Sequence, residues 1–314
     1  MTAHRTVSPR SYALLGVVAG TLTLAACGGG DPDGSSRADV MAARTERGRQ
    51  AQAAARDGHK EPQAAYLAAA QATAAWVPQV SDTWQWQLSG TINTGYNVKV
   101  YDIDLFDAPD SVLTTLRNQG KAIVCYFSAG SAENWRPDYN LFKAADKGNN
   151  LDGWPGERWV DTRSANVRTI MKARLDKAKA RGCDGVEPDN VDAYQNNPGF
   201  PLTATTQLDY NRFLATEAHA RGLKVALKND VDQLSALAPS FDFAVNEQCN
   251  EYSECGGYTA FTGAGKPVFN AEYKNKWKND ANARAQMCAK ARAMNLRTLV
   301  LPLDLNDAFR YSCD

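Results

Sequence analysis

The sequence predicts an α/β fold, a (β/α)8 (TIM) barrel occupying residues 79–314 of a 314-residue chain. Three observations predict it. From residue 84 onward, short β-rich runs alternate with stretches of helical period. Gly120, Gly182, Gly222 and Asn295 each stand between a helical stretch and a new strand, where a helix end favours a residue tolerant of positive φ. The competing doubly wound sheet would bring G-x-G-x-x-G or G-x-x-x-x-G-K-[ST], and neither pattern occurs.

The strands follow in order. Val98–Ile103 reads as the first and Ala122–Phe127 as the second, both rich in β-branched and aromatic residues. Arg158–Asp161 is a short third, and Gly185–Glu187 the fourth. Leu223–Leu227, Phe241–Val245, Pro267–Asn270 and Thr298–Leu303 complete the set. Between them lie helical stripes: Val167, Ile170, Met171, Leu175 and Ala178 share one face, as do Tyr210, Phe213, Leu214 and Ala218. Met287, Cys288, Ala291 and Met294 form another.

Ahead of the barrel the sequence is of another kind. Residues 1–26 carry Arg5 and Arg10, then the apolar run Tyr12–Leu24 and small residues, which is the pattern of an export signal. The run is short for a membrane-spanning helix. Leu24-Ala25-Ala26-Cys27 resembles the lipobox of bacterial lipoproteins, which implies a lipid anchor on Cys27 and export to the periplasm or cell surface. An ordinary signal with an incidental cysteine is the alternative. Residues 27–78 read as an Ala/Gly-rich linker, disordered or partly helical. Six cysteines remain, an even number that suggests disulfides in an exported protein. Closeness favours Cys249 with Cys255. Cys288 with Cys313 would tie the last helix to the C-terminus, leaving Cys125 with Cys183.

Composition excludes several functions. Lys+Arg and Asp+Glu number 35 each, so no broad field draws the chain to nucleic acid. Only three histidines occur, His4, His59 and His219, none near the expected strand ends, which argues against a Ser-His-Asp triad or a histidine-rich metal site. No metal, no cofactor and a monomeric state are expected.

Carboxylates gather instead at the C-terminal strand ends, where a barrel of this kind builds its site. Asp102 and Asp104 close the first strand, Asp161 the third, and Glu187, Asp189, Asn190 and Asp192 the fourth. Lys228 and Asn229 follow the fifth, Glu247 the sixth, Glu272 and Tyr273 the seventh, and Asp304 the eighth; the second delivers Ser128. Single Asp and Asn residues are more often helix caps than catalysts. Many together, with Trp86, Tyr101, Tyr126 and other aromatics to stack on sugar rings, describe glycoside hydrolysis by a carboxyl pair.

Six segments in order carry a resemblance: Trp84–Leu88, Tyr101–Asp104, Cys125–Gly130, Gly185–Asn190, Asn246–Cys249 and Leu301–Asp304. They resemble the endo-α-1,4-polygalactosaminidases of glycoside hydrolase family 114, over roughly residues 82–313. The resemblance implies a (β/α)8 barrel acting on α-1,4-linked galactosamine polysaccharide, with Asp189 and Glu247 as the catalytic pair. Similarity to retaining barrels implies Asp189 as nucleophile and Glu247 as acid/base; inversion stays open. A mouth lined by Asp102, Asp104, Asp161, Glu187 and Glu272 would attract the ammonium groups of the deacetylated sugar. A non-catalytic carbohydrate-binding barrel at the cell surface is the alternative.

Overall fold

The computed structural model describes residues 75–314. The signal, Cys27 and nearly all of the expected linker lie outside the described residues. Strands β1 (Trp84–Gln87), β2 (Val100–Asp104) and β3 (Ala122–Ser128) lead into an insertion carrying β4 (Ser131–Glu133), β5 (Lys147–Asn150) and β6 (Glu157–Val160). Strands β7 (Gly185–Asp189), β8 (Lys224–Lys228), β9 (Phe243–Glu247), β10 (Val268–Glu272), β11 (Leu296–Val300) and β12 (Tyr311–Ser312) follow. Eight of these, β1-β2-β3-β7-β8-β9-β10-β11, are neighbours in one curled parallel sheet, and β12 adds antiparallel to β11. The seam between β11 and β1 is held by side chains. Trp84 Nε1 donates to the Arg297 carbonyl at 2.9 Å, and Arg310 Nη2 donates to the Trp84 carbonyl at 2.9 Å.

Helices α1 (Asp110–Asn118), α2 (Ala165–Ala180), α3 (Ala204–Ala220), α4 (Leu234–Leu237), α5 (Cys249–Tyr252), α6 (Thr259–Thr262), α7 (Asn275–Asn279) and α8 (Ala281–Ala293) connect the strands. Their ends are chemically specified. Ser164 Oγ accepts from the Asn166 and Val167 amides at the start of α2, and Asp280 does the same for Asn282 and Ala283 at α8. Gly120, Gly182, Gly222 and Asn295 all take positive φ, as their places in the sequence demand.

Two strand assignments differ from expectation. Glu157–Val160 is a strand, but it pairs antiparallel with β4 and β5 in a separate three-stranded sheet. The barrel strand it was expected to be is instead Trp84–Gln87. That run alternates Trp and Gln, so half of it reads as solvent-facing. In the fold all four residues are buried, because loops cover the glutamines: Gln87 Nε2 donates to the carbonyls of Ser89 and Thr91, and Arg310 donates to Gln85 Oε1.

Aromatic rings fill the barrel. Trp84 stacks on Trp86 and Phe269 at 5.7 and 5.1 Å between centroids, and Phe243 meets Phe269 edge-on at 5.7 Å. Trp76, inside the expected linker, closes the floor. It is 8% exposed and lies edge-on to Phe243 at 5.4 Å. Gly185 leaves it room, since a Cβ there would sit 3.3 Å from the Trp76 ring. The three expected disulfides, Cys125–Cys183, Cys249–Cys255 and Cys288–Cys313, are all present.

Candidate active site

Three neighbouring strands end in charged residues that meet. β7 ends at Asp189, β8 at Lys228 and β9 at Glu247. Lys228 Nζ lies 3.0 Å from Asp189 Oδ1, 3.2 Å from Glu247 Oε2 and 3.3 Å from Glu187 Oε1. Side chains on a strand alternate faces, so Glu187 and Asp189 point the same way, one above the other. Each strand turns abruptly after its charged residue. Asn190, Asn229 and Gln248 have φ of 61°, 48° and 66°, left-handed conformations that are uncommon for residues other than glycine. Two of these turns are tied back. Asn190 Nδ2 donates to Ser128 Oγ at 2.9 Å, and Asn229 Oδ1 accepts from the Glu247 amide at 2.9 Å.

Asp189 receives three donors: Lys228 Nζ, the Tyr126 hydroxyl at 3.1 Å and the Asn190 amide at 2.7 Å. Glu247 receives two, Lys228 Nζ and the Tyr273 hydroxyl at 2.5 Å. Burial alone would lower the pKa of Lys228, but Asp189, Glu247 and Glu187 carry it well above the ordinary lysine value. Lys228 is therefore a fixed cation, with the Trp86 ring 4.9 Å from its Nζ.

The remaining expected residues divide sharply. Asp102, Glu187 and Glu272 have essentially no exposed surface, so they lie beneath the mouth rather than lining it. Glu272 is turned to α5, accepting from the Asn250 amide at 2.7 Å and from Asn270 Nδ2 at 3.1 Å. Asp104 is buried and spent on Arg136, whose Nη1 and Nη2 reach it at 2.9 and 2.6 Å. Asp161 follows β6, outside the barrel, and is gripped by Arg163 at 2.8 Å. Tyr101 faces away, its hydroxyl accepting from the Tyr96 amide. Asp192 stays beside Asp189; desolvation and that neighbouring charge push its pKa up to about 6. Asp304 is partly buried in the segment after β11, with Asn306 Nδ2 donating to it. Ser128 is buried and bonded to Ser131 Oγ at 2.6 Å.

The insertion supplies residues that the barrel pattern could not announce. A cleft of about 190 Å³ adjoins Asp189 through Tyr126 and is lined by Trp135, Asp107, Glu133, Arg136 and Glu157 among others. Burial, then the charge of Glu133, raises Glu157 to about 8. Among the described residues, Cys249, Cys255 and Glu272 come close enough together to suggest a metal site, but the two sulfurs are joined as a disulfide and offer no thiolate.

The model of glycoside-hydrolase family GH114 matches residues 65–314. The chain belongs to this family. The GH114 chain is 42% identical to Aspergillus fumigatus Ega3, solved in complex with galactosamine, over 77% of this chain and 98% of Ega3, with a TM-score of 0.72. The glycoside hydrolase domain of PelA from Pseudomonas aeruginosa shares the fold at 16% identity, with a TM-score of 0.58 over 73% of this chain and 98% of that one. An uncharacterized protein of Deinococcus radiodurans is 28% identical over 178 residues, a match spanning half of the GH114 chain and 58% of that relative.

Proposed function

We propose that the protein is a retaining, endo-acting glycosidase that cleaves α-1,4-linked galactosamine polysaccharide, with Asp189 as nucleophile and Glu247 as acid/base. The observation that carries this is the convergence of both carboxylates on one atom. An oxygen of each lies within 3.2 Å of Lys228 Nζ, which bounds the distance between those oxygens at about 6 Å. Retaining pairs stand roughly 5–5.5 Å apart and inverting pairs about 6.5–9.5 Å. Membership of GH114 and the likeness to Ega3, solved with galactosamine, support the substrate. The excess of carboxylates over ammonium around Lys228 also suits a cationic sugar.

Asp189 attacks the anomeric carbon as the glycosidic bond breaks, and Glu247 gives its proton to the departing oxygen. Water then attacks the same carbon, Glu247 takes its proton, and the ester to Asp189 is released. The three donors on Asp189 suit an anionic nucleophile. Glu247 has fewer donors and is more exposed, 27% against 17%, which suits a group that exchanges protons.

The test is paired. Asp189→Asn and Glu247→Gln should each lower kcat by several orders of magnitude on deacetylated galactosamine polymer, at little cost to folding. Glu247→Ala should retain part of its first step on a substrate with a good leaving group, and azide should then yield a glycosyl azide. Azide product from the Asp189 variant alone would reverse the roles, and near-normal turnover in either would place the catalytic pair elsewhere.

We further propose that the protein is exported as a monomer and anchored by a lipid on Cys27. The lipobox-like Leu24-Ala25-Ala26-Cys27 and three disulfides, which persist in oxidising compartments, support this. Mass spectrometry should find an acyl group on Cys27 and lose it in Cys27→Ser. A wild-type chain without one removes the anchor.

A further inference from the structure

Beneath Lys228 lie two acids to which the mechanism above assigns no work. Asp102 on β2 is 1% exposed and Glu187 on β7 is 0% exposed. Both carboxyl groups face the barrel interior, and none of their four oxygens has a hydrogen-bond donor among the described residues. Among the described residues the cation in reach is the Lys228 ammonium, in ion-pair contact with Glu187 Oε1 at 3.3 Å. That ammonium already serves Asp189 and Glu247.

Two adjacent ionised carboxylates cannot persist there. An unsolvated carboxylate is costly, and two such charges repel at short range in a low-dielectric interior. The other charged groups around the pair do not relieve it. Asp104 on β2 is neutralised by Arg136, Asp189 adds negative charge, and Tyr273, just after β10, is held neutral by burial and by Glu247. The remaining resolution is one proton held between Asp102 and Glu187, each the partner the other lacks. Burial raises Asp102 to about 7, and burial together with Asp102 carries Glu187 well above the ordinary glutamate value.

We propose that Asp102 and Glu187 are positioning residues that share one proton beneath the active site. The pair presents a single negative charge to Lys228 and fixes its ammonium between Asp189 and Glu247. This rests on the roles given to Asp189 and Glu247 above. Without Glu187 the ammonium has partners on only its outer side and is drawn toward the mouth. With both acids ionised it would be drawn down, away from the nucleophile.

Infrared spectroscopy tests the shared proton independently of turnover. At neutral pH the full wild-type chain should show the C=O stretch of buried carboxylic acid. Part of that band should vanish in Asp102→Asn, where Glu187 is left ionised against Lys228, and the band should shift in frequency in Glu187→Gln, where the buried Asp102 keeps the proton without its carboxylate acceptor. A wild-type spectrum without the band, or a band unchanged in both intensity and position in both variants, assigns the proton elsewhere and overturns the proposal. Kinetics tests the positioning. Glu187→Gln should lower kcat about ten- to hundredfold with little change in KM, the scale of one charge-assisted hydrogen bond. Asp102→Asn keeps the charge on Glu187, so it should lose less kcat and lose the alkaline limb of its pH profile. Wild-type pH profiles in both variants overturn the positioning role. If the wild type cleaves no galactosamine polymer, the functional reading fails while the infrared result still decides the pair. Should Glu187→Gln not fold, the wild-type band and Asp102→Asn decide it.

Discussion

Glu157 shows how far an acid can be driven by its surroundings. It is 5% exposed, accepts one hydrogen bond from Ser131 Oγ at 2.7 Å, and lies close enough to Glu133 to feel its charge. Its pKa rises from an ordinary 4.5 to about 8. Between those values the folded chain holds a proton that the unfolded chain has released, so stability falls as pH rises through this window, by up to about 1.4 kcal/mol per pH unit. Glu157→Gln keeps the Ser131 bond and removes the titration. Denaturant unfolding at several pH values should give a flatter profile for the variant, and parallel profiles would mean that Glu157 is ionised in the fold. Individual residues were unevenly legible from sequence. Asp189 and Glu247 stood where strands emerge, and the family resemblance named them. The burial of Asp102 and Glu187 was not legible, because an acid in a strand-end motif looks the same whether it faces solvent or lies one pleat below. Lys228 posed the same problem, since its charge gave no sign that three carboxylates would enclose it.

At the scale of elements, the insertion between β3 and α2 joins the barrel through a close approach. Gly130 packs so tightly on the turn after β7 that a Cβ would stand 1.7 Å from the Asn190 carbonyl oxygen. The Ala129 and Gly130 amides also donate to the Asp189 carbonyl, at 2.8 and 3.0 Å. Gly130→Ala must push this turn and Asp189 apart. With Asp189 as the proposed nucleophile, it should lower kcat by at least about tenfold, since small displacements of a reacting group are costly. Thermal unfolding should also move to clearly lower temperature, because the atoms a Cβ would meet are backbone and cannot swing aside; unchanged kcat would mean that the insertion does not set the position of Asp189. Most elements could be read from sequence because periodicity and helix-end glycines agreed. The two errors share a cause. Short runs reveal strand propensity but not partners. Arg158–Asp161 has the composition of a barrel strand and pairs elsewhere, while Trp84–Gln87 hides its burial behind glutamines satisfied by distant loops.

For the whole molecule, Trp76 is the first described residue buried in the core. A chain shortened to start at residue 79 lacks this ring, and one starting at 75 retains it. Removing a buried tryptophan costs about 3–5 kcal/mol, so the shorter chain should unfold at clearly lower denaturant than the longer. Equal midpoints would mean that the floor closes without it. The same residue also sets a direction. Trp76 packs among the first residues of the parallel strands, whereas Asp189, Lys228 and Glu247 are the last residues of theirs. The first described residues and the charged cluster thus lie at opposite ends of the strands. A group fused directly at residue 75 would therefore sit about a strand's length, roughly 17 Å, from Asp189 and Glu247 and leave the mouth clear.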